Sequence, residues 1–294
     1  TRLMRAKSVS QKLKILSSFR PPYLSPVIAI EQGLTDPFCG LNMGQTAEIL
    51  SREFDITRDM QDEFAVNSHR KALAAAENGY FNNEIVSVLI GKKLDRLLQK
   101  DSGPRVDSSI EKLGKLKPYF DRKTGSVTVG NACPITDGGS AMLLASRSAV
   151  EKYNLRPLVK IKRVDFAGLE PERMGMGPLV AMDKVLKKTD MEISDFDLVE
   201  INEAFAAQVI AVQQALADSK HAKRFGVDKT WGSVPEEKLN VNGGAIALGH
   251  PVGSTGCRIV VTATHELLRR NGKYALASLC IGGGQGGACI IEKV

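Results

Sequence analysis

The chain has 294 residues, with 40 Lys and Arg against 33 Asp and Glu, a net charge of +7, and 43% apolar and 25% charged residues. This is the composition of a folded globular protein with a sizeable core, and it excludes long disorder, collagen-like repeats and a small disulfide scaffold. No run of 18 apolar residues occurs, so no membrane-spanning helix is expected. Length alone suggests about two domains. The first residue is Thr1 rather than Met, which reads as a processed chain or a fragment.

In chain order, residues 1–22 carry Arg2, Arg5, Lys7, Lys12, Lys14 and Arg20 and no acid. Val9, Leu13 and Leu16 recur at i, i+4 and i+7, so a basic amphipathic helix is expected. Its apolar face is expected to pack on the body of the protein, with a membrane surface or a partner as the alternative. Phe19 is the one aromatic among these cations, too little for nucleic-acid recognition. No apolar core follows the charges, so a signal peptide is not expected.

From Met43 to Gly79 the pattern is helical. Met43, Ala47 and Leu50 share a face, Thr57 is an N-cap with Asp59 and Asp62 behind it, and Gly79 is a terminator. Residues 82–122 read as irregular. After residue 120 strands and helices alternate, which argues a layered α/β fold. Strands are expected at Ser126–Asn131, Val159–Val164, Leu198–Ile201, Tyr274–Cys280 and Ala288–Glu292. Helices are expected to end near Tyr153 and to span Pro178–Leu186, Glu203–Leu216 and Ser254–Arg270.

The five cysteines (Cys39, Cys133, Cys257, Cys280, Cys289) are odd in number, widely spaced and without a CxxC pair. The four histidines form no HExxH, so no metal site is expected. Eleven of the 27 glycines fall in residues 240–294. Gly282, Gly284 and Gly287 satisfy G-x-G-x-x-G, but a strand follows where a dinucleotide fold needs a helix. Residues 249–256 lack the Lys-Ser/Thr of a P-loop. What remains is His250 in a glycine-flanked turn, Cys280 at a strand end before a glycine hairpin, and Asn202-Glu203 at a strand-to-helix junction. A Cys/His pair supplies a nucleophile or an acid/base, and bare glycine amides hold an oxyanion. The residues alone thus point to an α/β enzyme with Cys/His chemistry and an anionic intermediate, provided that His250, Cys280 and Asn202 converge.

Asn242–Gly256 (NGGAIALGHPVGSTG), Asn202–Gln208 (NEAFAAQ) and Cys280–Gly286 (CIGGGQG) resemble the three C-terminal motifs of the thiolases. Met43–Glu48 (MGQTAE) and Thr128–Gly139 (TVGNACPITDGG) resemble two earlier stretches of that family, in the same order. The basic opening and the insert between Asn202 and His250 are most similar to the β-subunits of β-oxidation complexes, although those usually carry His at the position of Asn202.

The resemblance implies a layered α/β/α thiolase fold with an inserted helical loop domain. Residues 1–118 would be the loop domain, 119–150 the tail of an incomplete N-terminal half, and 151–294 the C-terminal half. It also implies an acyl-CoA acyltransferase that cleaves a 3-ketoacyl-CoA with CoA or runs the reverse condensation, with coenzyme A as substrate and no cofactor. His250, with an imidazole pKa near the working pH, would activate a nucleophilic Cys, and Cys280 would be the acid/base at the thioester α-carbon, its pKa lowered by glycine amides and a nearby His. Asn202, through a water, and His250 would surround one oxyanion, and the Gly282 N–H would serve a second. Met43, Cys133 and Phe205 would line the acyl and pantetheine path. The family's nucleophile motif does not occur in this sequence, so the chain alone is expected not to turn over and to bind CoA weakly. A homodimer or tetramer, a possible β-oxidation α-subunit partner, and a bacterial cytoplasm or mitochondrial matrix complete the expectation. A related condensing synthase and a non-catalytic thiolase-like binding or assembly protein are the alternatives.

Overall fold

The computed structural model describes residues 6–20 and 25–294, so Arg2 and Arg5 of the basic opening lie outside the described residues. The chain divides into two compact units, residues 1–35 and 36–294. In the first, helix α1 (Val9–Ser17) starts where the Ser8 hydroxyl accepts the Gln11 N–H at 3.2 Å. A short helix α2 (Ala29–Gly33) follows.

The second unit opens with two capped helices. In α3 (Met43–Glu53) the Asn42 side chain accepts from Gln45 N and the Gln45 side chain from Asn42 N, a reciprocal cap. In α4 (Arg58–Glu77) the Thr57 hydroxyl accepts the Met60 N–H, and Gly79 at φ +71° ends the helix. A small antiparallel pair, β1 (Val88–Ile90) and β2 (Arg96–Leu98), and two short helices, α5 (Ile110–Gly114) and α6 (Arg147–Tyr153), precede the main sheet.

That sheet has the order β3 (Val159–Gly168), β6 (Gln285–Lys293), β5 (Tyr274–Ile281), β4 (Leu198–Ile201). Only β4 and β5 run parallel. Successive strand residues face opposite sides of a sheet, and the core divides accordingly. Val199, Ile201, Leu276 and Ile290 pack with Leu179, Met182 and Leu186 of α7 (Gly177–Thr189) and with Val209, Val212 and Leu216 of α8 (Ala206–Ala217). Their neighbours Leu198, Ala275 and Ile291 pack with Ala263 and Leu267 of the long helix α11 (Val252–Arg270). The inner strands are thus a middle layer between helices, and the continuous apolar runs of β4 and β5 reflect burial on both faces, whereas the edge strand β3 is largely exposed. Two short helices, α9 (Ser219–Lys223) and α10 (Ala245–Leu248), fill the long connection between α8 and α11.

The expected strand at Ser126–Asn131 does not form. The Glu48 carboxylate accepts the Ser126 and Val127 N–H groups, and the Asn131 amide oxygen accepts the Thr128 N–H at 2.8 Å. Side chains therefore satisfy donors that a ladder would otherwise use, and a single bridge, Ala132 to Phe205, replaces the strand. The expected helix from Glu203 starts at Ala206, because residues 202–205 leave the sheet before they turn. Among the described residues no helix is long and apolar enough to cross a membrane.

Candidate active site

The site is built around the carboxyl ends of β4 and β5, where side chains of an α/β sheet become accessible to ligands. At the end of β4 the Asn202 N–H donates to Ser278 O at 2.9 Å, extending the parallel pairing by one residue. The next residue, Glu203, is buried and fully occupied. Its carboxylate accepts from Ser68 Oγ at 2.6 Å, Asn240 Nδ2 at 2.9 Å and Ile246 N at 3.3 Å. Asn240, at φ +42°, also brackets Ile201 by accepting its N–H and donating to its carbonyl, both at 2.8 Å. A Cβ on Gly244 would collide with the Glu203 carboxyl group. Glu203 thus joins two glycine- and asparagine-bearing motifs that are about 40 residues apart, and brings the turn that carries His250 against the end of β4.

Asn202 is as buried as Glu203, at 1% exposure, yet among the described residues neither its amide oxygen nor its amide nitrogen has a hydrogen-bond partner. Buried polar groups are almost always satisfied, so this amide, like that of Gln208 six residues on, has hydrogen-bonding capacity left over for a water or a ligand. Cys280, opposite Gly286 near the end of β5, belongs to an apolar cluster with Ala132, Met174, Ala204 and Phe205, against which Met43 and Phe120 pack. Phe205 meets Phe120 edge-on at 5.9 Å. Cys133, tied by its N–H to Ala204 O at 3.0 Å, lies beside Cys280. The Gly282–Gly284 turn sits over this cluster, with the Cβ position of Gly282 at 3.8 Å from Met43 Sδ.

His250 follows Gly249, whose φ of +95° suits only glycine. The His250 N–H donates to Thr136 Oγ1 at 3.3 Å, and Nδ1 lies 2.7 Å from Thr255 Oγ1. The Thr255 hydroxyl donates its one proton to Pro251 O at 3.1 Å, so it accepts from Nδ1–H and leaves Nε2 with the free lone pair. Burial, assisted by the Arg258 charge, pushes the imidazole down to about 4, so at neutral pH His250 is an uncharged base. A depression of about 380 Å³ lined by residues 136–140 and 251–254 adjoins it.

Two sequence expectations are corrected here. Cys280 is not acidified. Burial pushes its thiol up to about 12, because the apolar cluster outweighs any glycine amide, and the Gly283 N–H is already donated to Asp36 at 2.7 Å. Nor does His250 sit near neutrality, for the reason just given. Cys280, Cys133, Phe205, Met43 and Gly282 are brought together, and His250 stands on the stretch held by Thr136, three residues beyond Cys133. No hydrogen bond among the described residues joins His250, Cys280 and Asn202 directly. Asp36, Asn240 and Thr255 escaped sequence reasoning, because an Asp, Asn or Thr alone in a loop carries no periodic signal. Thr255, five residues after His250 inside a quoted motif, was the one within reach.

Comparison with known proteins gives the class. The family model described as Thiolase, N-terminal domain matches residues 21–148, and that described as Thiolase, C-terminal domain matches residues 155–293. The chain belongs to the thiolase family. It is 45% identical over 268 residues to the acetyl-CoA acetyltransferase of Escherichia coli (strain K12), covering 91% of this chain and 64% of that protein. It is 41% identical to β-ketothiolase BktB of Cupriavidus necator, covering 95% and 70%. Human mitochondrial 3-ketoacyl-CoA thiolase in complex with CoA superposes with a TM-score of 0.81 at 41% identity, covering 90% of this chain and 62% of that one. The chain thus spans a little under two thirds of the length of most of these relatives, and the layered α/β fold inferred from the sequence is the fold they share.

Proposed function

We propose that the chain carries the acid/base and oxyanion part of a thiolase-type acyl-CoA acyltransferase. The supporting observation is what the ends of two adjacent parallel strands carry: at the end of β5 a protonated thiol in an apolar cluster before a glycine turn, and just after β4 a buried amide with no hydrogen-bond partner among the described residues. A thiol held in its protonated form suits proton delivery to the α-carbon as a 3-ketoacyl-CoA is cleaved. The proton leaves Cys280 for that carbon, and the thiolate takes it back from the α-carbon in the reverse condensation. The Asn202 amide, through a water, stabilises a thioester oxyanion, and the Gly282 N–H serves a second one. His250, with Nε2 free, takes the proton of a cysteine nucleophile that none of the five cysteines here is assigned to supply. Met43, Cys133 and Phe205 line the acyl and pantetheine path.

In this reading 1–118 is a loop domain, 119–150 belongs to an N-terminal half and 151–294 is the C-terminal half. Acyl-CoA and CoA are the substrates and no cofactor is needed. A homodimer or tetramer is the assembly, with a β-oxidation α-subunit as a candidate partner. The compartment is a bacterial cytoplasm or the mitochondrial matrix, in keeping with the relatives named above.

Two measurements on the purified chain test this. Acetoacetyl-CoA should slow alkylation of Cys280, read by peptide mass spectrometry, while Cys289 reacts at an unchanged rate. Thiolysis of acetoacetyl-CoA by the chain alone should be absent. An unprotected Cys280 would contradict the site, and robust turnover would contradict the assignment of the nucleophile elsewhere.

A further inference from the structure

Consecutive amides of the glycine turn are not equivalent. Asp36, only 2% exposed, accepts the Phe38 N–H at 2.8 Å and the Cys39 N–H at 3.4 Å on Oδ1, and the Gly283 N–H at 2.7 Å on Oδ2. Its loop closes on itself, since Asp36 N donates to Leu41 O and Gly40 N to Asp36 O, each at 2.8 Å. Gly40 takes the left-handed φ of +71° that this closure requires. Burial pushes the Asp36 carboxyl up, but the hydrogen bonds from Phe38, Gly283 and Cys39 outweigh it and hold the group below its ordinary value, as an anion.

The other hold on the tip of the turn among the described residues is a longer one, the Gln285 Nε2 donating to Gly282 O at 3.3 Å. Gly283 and Gly284 both lie at positive φ, +81° and +77°, a conformation that glycine readily leaves. Gly284 O is fixed by the Leu169 N–H at 2.8 Å, which secures the far side of the turn. Asp36 secures the tip. The Gly282 N–H donates to nothing among the described residues.

We propose that Asp36 is a positioning residue for the oxyanion site: by accepting the Gly283 N–H it anchors, with Gln285 on the carbonyl side, the peptide that follows Gly282, and so limits the rotation about Gly282 that would turn the preceding peptide, and with it the Gly282 N–H, away from a thioester carbonyl. This rests on the thioester reading of the site given above. Of two neighbouring donors, the anionic carboxylate takes the Gly283 N–H, with its other oxygen occupied by the Phe38 and Cys39 N–H groups, so the Gly282 N–H is the one left for a developing negative charge on the ligand. Without Asp36 the turn samples orientations in which either amide, or neither, faces the pocket, and the preorganisation that makes such donors effective is lost. The wiring also explains why the segment before α3 is tied to a hairpin almost 250 residues away.

The test uses Asp36→Ala and Asp36→Asn in the chain as it stands. Hydrogen exchange at Gly283, read by NMR, should be about tenfold faster in Asp36→Ala, the effect of one charge-assisted hydrogen bond. Asp36→Asn keeps a single acceptor oxygen and should fall between, with the Ile290 amide in β6 unchanged as the control for folding. Chemical-shift titration should then show acetyl-CoA weakened several-fold more than CoA, which has no thioester carbonyl. A purely structural role would weaken both alike. Unchanged Gly283 exchange in both variants, or equal loss of the two ligands, would overturn the proposal. If Asp36→Ala also loosens Ile290, Asp36→Asn decides. Should the wild-type chain bind neither compound, the thioester reading falls and the oxyanion role with it, whereas the grip of Asp36 on the turn is still judged by the exchange rates.

Discussion

Asn202 and Glu203 are adjacent, equally buried and both polar, yet they sit in opposite electrostatic settings. Around Glu203 every partner is in place: Ser68, Asn240 and the Ile246 N–H converge on one carboxylate. Around Asn202 both amide atoms lack a partner among the described residues, and on the adjacent strand the thiol of Cys280 packs in an apolar cluster. The first region spends its polar groups on holding loops together. The second leaves them unpaired, at a cost in stability, which is what the proposed oxyanion role requires. The two settings are separated by one peptide bond because successive residues at the end of a strand point to opposite sides.

Substitutions sharpen this contrast. The largest effect is expected for Glu203→Ala, which strands three donors in the interior and should cost about 3–5 kcal/mol in urea unfolding. Gly244→Ala should follow, at about 1–3 kcal/mol, since its methyl group meets the Glu203 carboxyl group. The Gly244→Ala cost should shrink in a Glu203→Ala background, so the double-mutant cycle reports their contact.

A pH effect comes next. Glu200, two residues before Asn202, is pushed up to about 8, first by burial and then by Glu203, Glu84 and Glu266, against the pull of Arg258. The folded state therefore holds a proton that the unfolded state releases at its ordinary value near 4.5. This contribution to stability is complete below the unfolded value and is lost as pH rises toward 8. Glu200→Gln should accordingly gain on the wild type between pH 5 and pH 8, read from urea midpoints. His250 acts in the opposite sense. Its folded value near 4 lies below the ordinary 6.5, so its contribution is present above 6.5 and falls away as acid approaches 4. The smallest effect is expected for Asn202→Ala, within about 1 kcal/mol of the wild type, because no hydrogen bond is given up. A loss as large as that of Glu203→Ala would erase the distinction between the two regions.

How much of this was legible in the sequence follows the range of the forces involved. Helices with local caps, at Thr57 and Asn42, and strands with continuous apolar runs, at Leu198–Ile201 and Tyr274–Ile281, are written within a few residues. Ser126–Asn131 has the composition of a strand, but its donors are taken by Glu48, some 78 residues earlier, which no local pattern announces. His250, Cys280 and Asn202 stood out because a polar or reactive side chain at an element end or beside a glycine turn is conspicuous, whereas the role of Gly282 came only with the thiolase resemblance. The raised thiol of Cys280 did not, because it depends on Ala132, Met174 and Phe205 arriving from three other segments. Asp36 was invisible for the same reason: its partner Gly283 lies at the other end of the chain.

The central claim is that Cys280 moves the proton at the α-carbon of a bound acyl-CoA. Deuterium incorporation into the methyl group of acetyl-CoA in heavy water, followed by NMR, measures that step without requiring a nucleophile. The wild-type chain should catalyse exchange, with a rate rising about tenfold per pH unit between pH 7 and 10 as the thiolate is populated, and Cys280→Ser should reduce it to the level of buffer. Exchange that survives in Cys280→Ser, or that is absent from the wild type while acetyl-CoA is bound, would contradict the account.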